Sequence, residues 1–596
     1  MRSLAGVRRA LLSRTLGGAS LVSVAVIAAY WSALSVGFVS DDFLILDRLR
    51  TLGGLEHASA YFGLRHFDYY RPLAFLSYAL DWNLWDGRAF GYHLTSLGLH
   101  ALNTLLVFSL SRRLMSTWSA GIAAALFAVH PSSHEAVFWM SARFDLLAAA
   151  WCLTGVLALR TSHVRADVCA ALAFLAAVLS KESALAFPAA ALAYTLLLQH
   201  ARPARMVRQL VCFAGAGGVY IWMRHVAGLA STGGTARVPK LAALAVLVAA
   251  LVYASHLGWA RVSSAVRTRL RLMTASALLL LVAAGLLALT AGPGAVFRKT
   301  LTTVGFAAVH LLSPVAIDSL AGTLPRYMWI AGWLALAGAI VAVVAVVAAR
   351  EYAADAQAPA FLIVFLIATL VPVSSMTEGT RYLYLACVPA AMLAAWLWDR
   401  IPPKWLPIAS AVLAVVLLIN AWQVRAKGSD WAWASEMSAA AATLVSDGLG
   451  SRCDGHDVVL ATAPVRVRGV YSNLNIESLT WLRGCTPASL RTLVRVGHED
   501  PRVGAAWETP TQLRLSVSDY RGGFVTSRDL RTFDVGIDPT TPTRVTNILG
   551  WFEALPSAGG LDVRQTVNPG SAGLDVTWFY FSQGRLHPMP SSSHAP

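Results

Sequence analysis

Long apolar runs separated by short basic turns constrain this chain more than any motif in it. From Gly18 to about Trp422 the runs recur at lengths of roughly 13 to 22 residues, and about 20 helical residues cross the hydrocarbon core of a bilayer. With 56% hydrophobic and 13% charged residues and a mean hydropathy of +0.57, most of the chain must be solvated by lipid. The shortest runs also suit buried or re-entrant helices, so length alone leaves them open.

The formal charge of +16 does not point to nucleic acid, because the basic residues are placed by topology. They occupy turns: Arg8, Arg9 and Arg14; Arg112 and Arg113; Arg160 and Arg165; Arg202, Arg205 and Arg208; Arg261, Arg267, Arg269 and Arg271; Arg350; Arg400 and Lys404. These turns fall at every second loop, which marks the cytoplasmic side. The pattern predicts about thirteen spans with the N-terminus inside, near 18–38, 91–110, 119–130, 142–159, 168–180, 184–200, 209–227, 241–259, 272–291, 327–349, 359–372, 382–398 and 405–423. The leader "MRSLAGVRRALLSR" also suits a cleaved signal peptide, but its apolar stretch is long and lacks a convincing small-x-small site. In either case Asp41 and Asp42 face outward.

The expected architecture is mainly α: a polytopic helical bundle over 1–423, with its first outer loop at 39–90, and a soluble α+β domain over 424–596. Segments such as "DVVLATAPVRVRGVYS" and "TQLRLSVSDY" between Gly- and Pro-containing turns read as strands, and the ending "HPMPSSSHAP" reads as a disordered tail. An odd number of spans exports this domain. Cys453 and Cys485 are its only cysteines, and an oxidising compartment favours joining them.

Sorted by face, the polar residues gather outside. The outer loops hold "SDDF", "DYYRPL" (Asp68 to Leu73), "HPSSHEAVFWMSARFDLL" (His130 to Leu147), "KES" (Lys181 to Ser183) and "TEGTRYLYL" (Thr377 to Leu385). Each has a plain structural reading. Asp41 suits the N-cap of a helix over "FLILDRLR". Arg381 suits a snorkelling arginine beside an aromatic belt. Lys181 suits a pair with Glu182, and Arg143 one with Asp145. His130 and His134 stand four apart, but Pro131 disfavours the continuous helix a zinc pair would need.

The succession "YYRPL", "GYHLTSLGLHALNTLLVFSL", "LFAVHPSSHEAVFWMSARFDLLA", "LSKESALAFP" and "RYLYL" resembles the transmembrane O-mannosyltransferases that carry tetratricopeptide repeats, with their bacterial relatives. These belong to the GT-C class of polyprenyl-phosphate-sugar-dependent glycosyltransferases. The resemblance covers about 37–200 and, briefly, 375–390, whereas the middle spans match in hydropathy alone. The C-terminal domain does not look like tetratricopeptide repeats, so protein mannosylation does not carry over with the likeness.

The resemblance implies a sugar donor held on a polyprenyl phosphate, an acidic first outer loop, and a glycan, lipid or protein acceptor at the outer face of a bacterial cytoplasmic membrane. It makes Asp41 or Asp42 the general base, with Asp41 favoured and Asp42 left to orient the acceptor or hold a cation. Some members of the class use a divalent cation and others none, so a metal at Asp41 and Asp42 stays open. Arg381, Tyr382, Tyr384, Arg71 and Lys181 are the candidates for the donor phosphate. His130, His134, Glu135 and Glu182 are candidates for the acceptor pocket. A transporter or flippase of envelope intermediates is the competing reading; it would place polar groups near the bilayer midplane and show an internal repeat.

Overall fold

The computed structural model describes residues 26–63, 69–228, 311, 357–370, 372, 379–449 and, in the C-terminal region, 457–464, 466–467, 470–471, 489–498, 502–518, 521–526, 535–537, 540–557, 560–568, 577–583 and 585–589. The fold is mainly helical up to Leu449, and strands follow from Asp457. Ten of the thirteen expected spans fall on described helices, while those near 241–259, 272–291 and 327–349 lie outside the described residues.

The membrane part is built from α1 (Asp42–Leu52), α2 (Pro72–Trp85), α3 (Ala89–Ser111), α4 (Thr117–Ala128), α5 (Arg143–Ala158), α6 (Val164–Val178), α7 (Pro203–Val226), α8 (Gln357–Leu370), α9 (Cys387–Trp398) and α10 (Leu406–Leu449). Four of the described helical stretches, Ala89–Ser111, Met140–Ala158, Pro203–Val226 and Pro403–Asp447, are long and apolar enough to cross a membrane. The chain is a multi-pass membrane protein. The start of α10 presents Ile408, Val412, Val415, Ile419 and Trp422 at alternating steps of four and three, all more than a third exposed. In water such a stripe would be a liability; against acyl chains it is the solvated face.

α10 is one continuous helix of 44 residues, about 66 Å long at 1.5 Å per residue. That is roughly twice a hydrocarbon core of about 30 Å. Its burial pattern changes accordingly: beyond Trp422, residues Val424, Trp431, Ala434, Ala442 and Val445 are buried. The border expected at 423/424 therefore falls within a helix that joins the two regions.

Beyond α10 lie a six-stranded and a five-stranded sheet. The central strand of the first, Asp457–Pro464, pairs in parallel with Thr577–Ser582 and with Ser489–His498. Its alternate residues enter two cores. Val459 and Ala461 pack with Leu513, Leu515 and Phe552 of the second sheet. Val458 and Leu460 belong to a cluster with Met437, Ala441 and Val445 of α10 and with Phe43, Ile45 and Leu49 of α1. Burial on both faces explains why this strand reads "VVLATA" instead of alternating with polar residues. It also seats the sheet region directly on α1.

Candidate active site

Four of the loops expected on the outer side converge on one cavity of about 200 Å³. The first loop supplies Asp41, Tyr69 and Arg71, the second Trp139, Ser141 and Asp145, the third Lys181, and the last Arg381 and Tyr382. Loops far apart in sequence thus meet at one place.

Each cation at the cavity is held by its own carboxylate. Arg71 donates from Nε and Nη2 to Glu182 Oε2 (2.9 and 2.8 Å), and its guanidinium lies over the Tyr69 ring at 4.2 Å and the Phe144 ring at 4.7 Å. Lys181 Nζ pairs with Asp145 Oδ1 and sits over the Tyr382 ring. Arg381 Nη1 donates to Glu135 Oε2 (3.2 Å), as does its own backbone N–H (3.1 Å). The guanidinium of Arg381 is stacked between Trp139 and Tyr382, 4.6 and 4.5 Å from the ring centroids. Held this way, the cations cost little further ordering when an anion arrives, which is the condition for electrostatic preorganisation. Burial pulls the Lys181 ammonium down to about 8, with Arg71 and Arg381 acting the same way and Asp145 opposing them. Burial also works against Arg71, but the Glu182 carboxylate outweighs it and the guanidinium is held above its usual value.

The acidic pair divides. Asp41 is the N-cap of α1 but makes no side-chain capping bond, and it lines the cavity. Asp42 does not line it and is fully buried. Its Oδ2 accepts from Val39 N–H (2.9 Å), and its Oδ1 accepts from Ser141 N–H (2.8 Å) and Ser141 Oγ–H (2.5 Å). Burial raises the Asp42 carboxyl to about 7, Asp41 adds to the rise, and the Ser141 and Val39 donors hold it back.

Two expected pairings differ. Arg143 pairs with Asp81 (2.6 Å) and donates to the Tyr92 carbonyl (2.7 Å), leaving Asp145 to Lys181. Residues two apart on a helix point to opposite sides, so Arg143 and Asp145 cannot face one another on α5. Lys181 and Glu182 likewise go to separate partners, because Lys181 has extended backbone and successive side chains diverge there.

Of the other expected residues, Tyr384 turns away from the cavity. His100 Nε2 donates to the Ala128 carbonyl (3.0 Å), which leaves Nδ1 to accept from the Tyr384 hydroxyl (2.7 Å). His134 Nδ1 accepts from the Trp431 indole N–H (3.2 Å), so its Nε2 donates to Thr380 Oγ1 (3.4 Å), tying α10 to the loop that carries Arg381. His130 Nδ1 accepts from Ser132 N–H (3.2 Å) and contacts Cys387 Sγ at 3.5 Å. Among the described residues no group of three or more His, Cys, Asp or Glu is placed to hold a metal. Both oxygens of Asp42 face protein hydrogen donors, and Asp42 does not line the cavity beside Asp41. Cys453, Cys485 and Asp68 lie outside the described residues. Sequence reasoning missed Tyr69, Trp139, Ser141 and Asp145 as cavity residues. All four stand within loops it had marked, but nothing local told which side chains turn inward.

No family model matches the chain. Part of it is similar to protein O-mannosyl-transferases: it is 33% identical over 152 residues to TMTC3 of Mus musculus, covering 23% of this chain and 16% of that protein. To Tmtc1 of Drosophila melanogaster it is 31% identical over 201 residues, covering 30% and 23%. The resemblance to these transferases is therefore real, and the chain matches less than a quarter of either relative. Among solved structures, the Archaeoglobus fulgidus oligosaccharyltransferase tethered with an acceptor peptide superposes at TM-score 0.45 with 11% identity, covering 80% of this chain and 64% of that one. ArnT from Cupriavidus metallidurans bound to undecaprenyl phosphate gives 0.30 with 13% identity, covering 80% and 92%. Superpositions this loose do not establish a shared fold.

Proposed function

We propose that the protein is an inverting membrane glycosyltransferase that moves a sugar from a polyprenyl-phosphate donor to an acceptor hydroxyl at the outer face of a bacterial cytoplasmic membrane, with about thirteen spans and an exported C-terminal domain. The observation that supports it is the meeting of Asp41 with Arg71, Lys181 and Arg381 at one cavity, in a chain with local similarity to O-mannosyl-transferases. In this reading Asp41 takes the proton of the acceptor hydroxyl as its oxygen attacks the anomeric carbon. The bond from that carbon to the phosphate oxygen breaks, and the electron pair leaves with the lipid phosphate. Arg71, Lys181 and Arg381 take up the charge that develops there. A single displacement inverts the anomeric centre.

The test is Asp41→Asn, which keeps shape and removes proton affinity. Transfer of radiolabelled sugar from purified lipid donor is expected to fall roughly 100-fold or more, with donor binding kept. Wild-type turnover in that variant would sink the assignment of the base.

A further inference from the structure

We infer that Asp42 and Ser141 are positioning residues that together aim Asp41 at the cavity, Ser141 by tying the second outer loop to the first; this rests on Asp41 being the base. The two acids are consecutive at the start of α1, and Asp41 already has helical φ and ψ. Consecutive helical residues project about 100° apart. The two side chains therefore cannot share one direction, and it is Asp41 that lines the cavity. Asp42 takes the inward place, and three donors fix it there.

The preceding residue carries the cost of this turn. Ser40 has φ +53 and is buried, in the left-handed region that a non-glycine residue occupies at a cost of about 1 kcal/mol or more. Such a conformation persists only where its surroundings over-determine it. The bond from Val39 N–H to Asp42 Oδ2 spans Ser40 and holds the chain in that shape. The bonds from Ser141 fix the same carboxylate from the far side. Tie, strained residue and base occupy three consecutive positions, and nothing in that arrangement requires Asp42 to touch substrate.

Ser141→Ala removes one donor and leaves the Ser141 N–H bond in place. We expect kcat to fall roughly tenfold, with donor Kd and acceptor KM within about twofold of wild type, as a misplacement well under 1 Å would produce. Ser141→Thr keeps the hydroxyl and is expected to recover most of kcat. Asp42→Asn must set an amide N–H₂ against either Val39 N–H or Ser141, so it is expected to lose more than Ser141→Ala; melting in detergent is measured alongside. If Ser141→Ala keeps full kcat while Asp41→Asn is inactive, the tie is scaffold only and the inference is wrong. If acceptor KM rises with kcat intact, Ser141 is an acceptor contact and the inference is equally wrong. Activity in Asp41→Asn overturns the reading of the base itself, a failure separable from the other two.

Discussion

Arg381 offers a test in which stability and donor binding come apart. Its guanidinium makes three kinds of contact: the pair with Glu135, the bond from Nη2 to Tyr382 Oη (3.0 Å), and the stack between Trp139 and Tyr382. In Arg381→Ala the Glu135 side chain, 3% exposed, keeps its bond from the backbone N–H but loses its counter-charge. Stranding one member of a buried pair costs about 3 to 5 kcal/mol, and each lost cation–π contact costs about 0.5 to 1 kcal/mol more. Adding Glu135→Gln removes the stranded charge, so the double variant is expected to recover most of the first term and melt near wild type in detergent. Donor affinity is expected not to follow. A charge-assisted contact to phosphate is worth about 1.5 to 3 kcal/mol, which is roughly 10- to 150-fold in Kd, and glutamine at 135 supplies no cation. Binding is read by titrating each purified variant with a short-chain polyprenyl phosphate. If affinity returns together with melting temperature in the double variant, Arg381 is a structural cation and the phosphate assignment is wrong.

Two further outcomes follow from named groups. Transfer is expected to follow a narrow bell in pH. The Asp42 carboxylate must be ionised to accept from Val39 and Ser141, and with its carboxyl raised to about 7 it gives the acid limb; the titratable groups beside it are Asp41 and Tyr78. Lys181, lowered to about 8 by burial, with Arg71 and Arg381 acting the same way and Asp145 opposing them, loses its charge on the alkaline limb, and Lys181→Arg should remove that limb while a profile flat from about 6 to 9 would count against both assignments. The sign for folding differs: a carboxyl raised on folding contributes stability that is full below its unfolded value and is lost as pH rises through about 7. Gly428→Ala in α10 tests packing against propensity, since alanine is intrinsically better in a helix by about 1 kcal/mol. A Cβ there would meet Ser32 Oγ at 2.2 Å and Phe138 Cζ at 3.0 Å, so a lower melting temperature is expected and a higher one would show that the helices are not closely packed at this point.

What the sequence made legible, and what it did not, divides by the range of the cause. Charge asymmetry between loops is a property of the whole chain, and it assigned Asp41, Arg71, Lys181 and Arg381 to one side before any of them was placed in a cavity. Side-chain direction is set by local backbone, and membership of a loop does not give it. Tyr382 lines the cavity while Tyr384, two residues on through a helical turn, points inward to His100. The same rule separates Arg143 from Asp145. These were recoverable from spacing. The bonds from Ser141 to Asp42 were not, because they depend on how two loops 99 residues apart pack.

The extent of α10 lies between these cases. The polar stretch "QVRAKGSD" suggested that the last span ended at Gln423, yet apolar and small residues continue at helical spacing through Val424, Trp431, Ala434, Ala441 and Val445. A change of solvent along one helix, from lipid to protein, looks in sequence like the end of the helix. In the fold it is a junction: Trp431 donates to His134, Ser435 Oγ accepts from Gly37 N–H (2.9 Å), and Val445 packs in the cluster that holds α1. Gly37 leads directly into Val39, Ser40 and the acidic pair, and His134 precedes Glu135, the carboxylate that holds Arg381. The C-terminal sheet region is therefore joined through α10 to the loop of the proposed base and to the loop of the proposed phosphate ligand, so its seating and the geometry of the cavity are set by the same contacts.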